Sequence, residues 1–190
     1  MDLLFPHVRI VLGIVVGLAI TRLLMTIAGF IQHPRRANVS AIHLLWMGSI
    51  LLELVLFWWW EFALYRIEHW TFGIALFLVL YAVTLFLLAA LLSPDNIEEY
   101  ASYEDFFLNR RRWFFGIFAV TFVLDAVDTL IKGSAYWERY GFDYAIQIPL
   151  GLALCAVAIA TRDRRVQIAA VLVHLGYQVF WISQYFDSVA

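Results

Sequence analysis

The sequence is short of charge, of lysine and of cysteine, and each shortage excludes something. Charged residues make up 15% of the 190 and hydrophobic residues 64%, against about a quarter and about half in a soluble domain. A soluble globule with so little polar surface would aggregate, whereas a bilayer is itself a solvent for an apolar exterior. The lone Cys155 excludes an intrachain disulfide framework and any CxxC redox or zinc motif, and its apolar surroundings suit packing. The lone Lys132 falls at the outer end of a span, where it cannot be the mid-helix Schiff-base lysine that retinal requires. A formal net charge of -2 provides no clustered basic surface for nucleic acid.

Motifs are missing too. No GxSxG, HExxH or phosphate-binding glycine loop occurs. The first apolar run has no basic segment before it, is too long for a secretory signal and ends without an A-x-A-like site, so it reads as a retained helix. No lipidation signature is present, which leaves the apolar runs as the anchor. His7, His33, His43, His69 and His174 are scattered, and His43 and His174 fall at different depths, so a bis-histidine haem does not fit. Glu53, Asp125, Asp128 and His174 include metal-ligating types, but their spacing follows no metal-site pattern. No cofactor, metal or catalytic residue is assigned, and the balance is against an enzyme.

What remains is six apolar runs, at about 8–31, 42–66, 70–92, 113–132, 143–161 and 166–186. Each is near the roughly 20 residues that cross a hydrocarbon core of about 30 Å. The fold expected is all-α: a single polytopic integral membrane domain over 1–190, built as a six-transmembrane-helix bundle. Pro34 with Arg35 and Arg36 closes the first run, and Ser93-Pro94-Asp95 closes the third, because proline cannot continue the helical hydrogen-bond ladder.

Arginine and lysine sort unevenly between the loops. Arg35, Arg36, Arg110, Arg111, Arg112, Arg162, Arg164 and Arg165 lie in odd-numbered loops, and only Arg9, Arg66, Lys132 and Arg139 lie on the other side. The positive-inside rule then puts the odd loops in the cytoplasm and both termini on the non-cytoplasmic side. Trp58 to Trp60, Trp70, Tyr136 and Trp137 form an outer aromatic belt on this reading, with Trp46 and Trp113 toward the inner interface. A bacterial cytoplasmic (inner) membrane is the location expected.

Segment 94–112 is the longest connection. Asp95 and Glu98 make a capping-box-like start, and acidic residues precede Arg110 to Arg112. This pattern predicts an amphipathic surface helix, with a possible protein partner docking there. Gly13 and Gly17 form a GxxxG in span one, which predicts close helix approach near Arg22.

Function should lie where charge enters the apolar runs. Arg22, Glu53, Asp125 and Asp128 sit near mid-span, and His174, Gln178 and Gln147 fall in the same central layer. Four unpaired charges at that depth would cost roughly 10 kcal/mol or more. Arg22 is therefore expected to pair with Asp125 or Glu53. Thr121, Asp125, Asp128 and Lys132 share one stripe of span four. His174, Gln178, Trp181 and Tyr185 share one of span six, and Ser49 and Glu53 a face of span two. Glu61 is placed at the rim, in reach of water. Span three, with little beyond Tyr81 and Thr84, is assigned to the lipid-exposed periphery.

These residues favour a small channel or transporter for protons, cations or a small polar solute. Arg22, Glu53, Asp125, Asp128, His174 and Gln178 would form its ion- or substrate-binding layer. The alternatives are a non-transporting scaffold or sensor subunit and, more weakly, an enzyme acting on lipid or quinone. Membrane lipids are the expected surroundings, and the small bundle predicts a homo-oligomer, since one chain leaves little room for a wide pore.

Overall fold

The computed structural model describes residues 4–33, 39–67 and 69–185. Regular structure among them is entirely helical: α1 (Leu4–Gln32), α2 (Ala41–Trp60), a 3-10 turn (Glu61–Arg66), α3 (Phe72–Leu91), α4 (Tyr103–Ile131), α5 (Ser134–Ala160) and α6 (Arg164–Tyr185). Six of these helices are long and apolar enough to cross a membrane. The closing signal at Pro34, Arg35 and Arg36 lies outside the described residues.

Side-chain caps mark several helix starts, as free N-terminal amides require. Thr71 accepts from the Ile74 amide at 3.2 Å, and Asp163 accepts from the Arg165 amide at 2.7 Å. The start of α4 differs from expectation. Glu98 bonds only locally, its amide donating to Asn96 Oδ1 at 2.9 Å, and the cap is Ser102, which accepts from the Asp105 amide at 3.1 Å. From there one helix runs without a break to Ile131. No separate surface helix forms over 94–112. Phe106 and Phe107 are buried in the bundle.

The fifth helix also begins earlier than the hydropathy indicates, at Ser134 rather than near 143. Its first turns are rich in polar and aromatic residues, which read as loop by composition but pack as helix: Trp137 stacks on Tyr144, with centroids 5.9 Å apart. Only Lys132 and Gly133 separate α4 from α5. Gly133 has φ of 113°, in a region that a side chain makes costly. Farther along α5, Gly151 lets that helix approach α4, since a Cβ there would sit 2.6 Å from the Phe122 ring.

Contacts between distant residues define two ends of the bundle. Lys132 meets Glu61, Phe5 packs at a tilt against Trp70, and Tyr185 donates to Asp143, all at what we term the Lys132 end. At the Arg110 end, His43 Nε2 donates to the Leu92 carbonyl at 2.7 Å and Ser40 donates to Glu104 at 3.1 Å.

Packing corrects three expectations. Helix α3 lies against α1, α2 and α4, with Tyr81 and Leu85 buried, so it is not a lipid-facing outlier. Trp46 is fully buried among Phe107, Phe114, Phe115 and Phe118 rather than at an interface, while Trp113 does stay 67% exposed. Gly13 and Gly17 have open space where a Cβ would be and lie on an exposed face, so no helix among the described residues packs on that motif.

Candidate functional site

The stripe on α4 faces a cavity of about 80 Å³ inside the bundle, lined by Thr121, Asp125, Asp128 and Lys132. Helix α2 contributes Glu53 and Trp60, Glu61 follows it, and α6 contributes His174, Gln178 and Trp181. Tyr81 of α3 and Tyr140, Tyr144 and Gln147 of α5 complete the wall. From Phe118 to Lys132 the lining covers about 21 Å along α4. The cavity ends toward Arg110 in a buried aromatic layer, where Trp46 lies 5.0 to 5.5 Å from Phe114, Phe115 and Phe118. Half-buried Trp60, Tyr136, Tyr177 and Trp181 mark its more exposed side.

Near the Lys132 end, one ammonium serves two carboxylates. Lys132 Nζ lies 3.0 Å from Glu61 Oε1 and also bonds Asp128 Oδ2, one helical turn earlier. All three groups are withdrawn from solvent, with exposures of 7% for Lys132, 9% for Glu61 and 3% for Asp128. Glu61 is therefore no rim residue, and Lys132 is not at the surface. The 3-10 turn after Trp60 tightens the chain and swings Glu61 inward onto the end of α4. Each carboxylate keeps one oxygen, Glu61 Oε2 and Asp128 Oδ1, buried and without a hydrogen-bond partner.

Deeper in the cavity a directed network holds Glu53. Gln178 Nε2 donates to Glu53 Oε2 at 2.7 Å and to the Ser49 carbonyl at 3.1 Å. Ser49 Oγ donates to Gln178 Oε1 at 3.1 Å, so its single proton is used there. His174 Nδ1, 2.8 Å from the same hydroxyl, must then carry the hydrogen and donate to it. His174 is fixed further by stacking on Trp46 and by the edge of Phe118. It acts here as an orienting group for Glu53, through Ser49 and Gln178. Asp125 is held more loosely, accepting from Gln147 Nε2 at 3.4 Å, and Tyr144 is tied to Thr129 at 2.7 Å.

Of the residues singled out from sequence, Glu53, Asp125, Asp128, His174 and Gln178 meet around this cavity, joined by Glu61. Arg22 does not. Its guanidinium pairs with Asp95 and donates to the Ser93 carbonyl at 3.2 Å, at the Arg110 end. The pair is open to solvent, with side-chain exposures of 39% and 83%. A long side chain can carry its charge away from its own Cα to a polar partner, and Arg22 reaches Ser93 and Asp95 just beyond the end of α3. The cation of the buried cluster is Lys132, and its place four residues after Asp128 was the available signal. The aromatic wall of Trp60, Tyr81 and Tyr140 carried no comparable signal.

Among the described residues, no three His, Cys, Asp or Glu side chains converge to hold a metal ion. Comparison with protein-family models, curated proteins and solved structures finds no match.

Proposed function

We propose that this chain is a small integral membrane transporter in which the cavity binds and releases protons, cations or a small polar solute. The observation that carries the reading is an imbalance of charge inside a partly sheltered cavity of the bundle. Four carboxylates, from Glu53, Glu61, Asp125 and Asp128, line the cavity with one ammonium, from Lys132. With all of them ionised, three negative charges lack a counter-charge, and low-dielectric surroundings make that state costly. Protons, cations or bound solute must supply the difference. Exchange among them is the chemistry of a coupled carrier.

The aromatic layer at Trp46 and Phe118 favours a carrier over an open channel, because it closes the route toward the Arg110 end. Movement of that layer would expose the site to the other side. The arginine bias supports an orientation in a bacterial inner membrane with the Arg110 end in the cytoplasm and the cavity toward the outside. Lipid surrounds the exposed apolar faces, and a homo-oligomer is part of the proposal.

Purified protein in vesicles carrying an internal pH dye tests the reading. Imposed proton or potassium gradients should drive flux above that of empty vesicles. Asp125→Asn and Glu53→Gln should change the flux by tenfold or more while eluting as folded protein. Equal flux from both variants and wild type removes the site. No wild-type flux at all returns the scaffold or sensor alternative, whose partner should then copurify and be lost when 94–112 is replaced.

A further inference from the structure

We propose that the solute taken by this cavity is a small organic ammonium ion, held by an aromatic corner and by carboxylate oxygens that no protein group satisfies. The inference rests on the reading of the cavity as a solute site and names the chemical class.

Three rings form the corner. Trp60 meets Tyr140 at 72° and Trp181 at 85°, with centroids 5.9 and 6.1 Å apart, and Tyr140 lies 5.7 Å from Trp181. Trp60 stands steeply to the other two rings, Tyr140 and Trp181 are inclined to each other by only 35°, and all three line the cavity. Arg139 already lies 5.5 Å from the Tyr140 ring centre, which leaves Trp60 and Trp181 as the rings to meet a guest. The face of an indole or phenol is its electronegative part, so a cation gains there what a neutral guest does not. Lys132 already uses this attraction, its ammonium lying 5.9 Å from the centre of the Tyr136 ring.

Charged groups and rings line the same cavity: Glu61 and Asp128 with Trp60, Tyr140 and Trp181, and Glu53 with the Gln178 that holds it. Glu61 Oε2 and Asp128 Oδ1 are both unpartnered, and both residues are at least nine-tenths buried in the cavity wall. An unsatisfied buried carboxylate oxygen is rare unless something else binds it. The acids are spread along the cavity rather than gathered at one point. A bare metal cation needs several oxygens converging at short range. An alkylammonium instead has a larger, diffuse charge suited to distributed carboxylates and ring faces. Size agrees: at about 10–15 Å³ for each water position, the cavity admits about five to eight water-sized groups. That is the range of tetramethylammonium and choline.

The test is calorimetric titration of the intact protein in detergent with tetramethylammonium, choline, potassium, and 3,3-dimethylbutanol as choline's neutral isostere. Saturable binding of the two ammonium ions is expected, at least tenfold tighter than potassium or the isostere. Trp181→Leu should weaken it about tenfold, and Trp181→Phe should retain most of it. Asp125→Asn should weaken the ammonium ions without affecting the isostere. Equal affinity for choline and its isostere, absence of saturable ammonium binding in wild type, or binding unmoved by folded Trp181→Leu each overturns the proposal. Vesicle flux of protons or potassium without ammonium binding overturns the ligand class while transport stands. Ammonium binding without flux of any ion leaves the ligand class standing and removes transport.

Discussion

Lys132 reaches back to Glu61, which lies 71 positions earlier in the chain, and closes a 3.0 Å ion pair inside the helix bundle. This contact joins the end of α4 to the turn after α2. With Asp128 it forms a triad in which one cation faces two anions.

Removing the cation should therefore be costly. Lys132→Met leaves two buried carboxylates without a counter-charge, and should lower stability by about 3–5 kcal/mol. Glu61→Gln should cost less, because Asp128 remains to pair. Denaturant unfolding in detergent, followed by tryptophan fluorescence, measures both. A Lys132→Met protein as stable as wild type would show that the triad contributes nothing to the fold.

The turn between α4 and α5 gives a second expectation. Gly133→Ala forces a side chain into a conformation reserved for glycine and should cost about 1–3 kcal/mol. Gly133→Asn should do no better, since φ of 113° with ψ of 167° lies outside the left-handed helical region that asparagine tolerates. Thermal unfolding midpoints of the two variants decide this.

At Gly151 the prediction concerns a pair. Gly151→Ala drives the Phe122 ring toward the cavity and should destabilise by about 1–3 kcal/mol. Adding Phe122→Leu should recover part of the loss, because the shorter side chain vacates the clash. Additive losses in the double variant would rule out this contact as the cause.

The network around Ser49 is built from single donors and acceptors. Ser49→Ala removes the partner of His174 Nδ1 and of Gln178 Oε1, and should cost about 1–3 kcal/mol. Because Gln178 also holds Glu53, the same variant should alter vesicle flux. Flux identical to wild type would detach the network from the site.

Arg22 supplies the contrast. Its pairing with Asp95 is open to water, so Arg22→Ala should shift stability by at most about 1 kcal/mol. Ammonium binding should be unaffected. A loss of binding comparable to that of Asp125→Asn would place Arg22 functionally in the cavity after all.

Helix number, the polar stripes of α4 and α6 and the absence of strands among the described residues were all legible in the sequence, because they depend on periodicity and apolar length within one segment. Asp125, Asp128 and Lys132 share a face by spacing alone, whatever that face meets. Helix ends were less legible where aromatic and polar residues mix. The first turns of α5 have loop-like composition, yet pack as helix.

Tertiary structure decided which charges meet. Arg22 and Lys132 are each compatible with an acid elsewhere in the sequence, and depth along a span does not choose between them. A long side chain can extend several ångströms toward either end of its helix, so its charge settles wherever neighbouring helices offer a partner or water. The turn after Trp60 brought Glu61 to Lys132, and the end of α3 brought Asp95 to Arg22. The aromatic corner was decided in the same way, by rings from α2, α5 and α6 that share no local pattern and meet only when those helices pack.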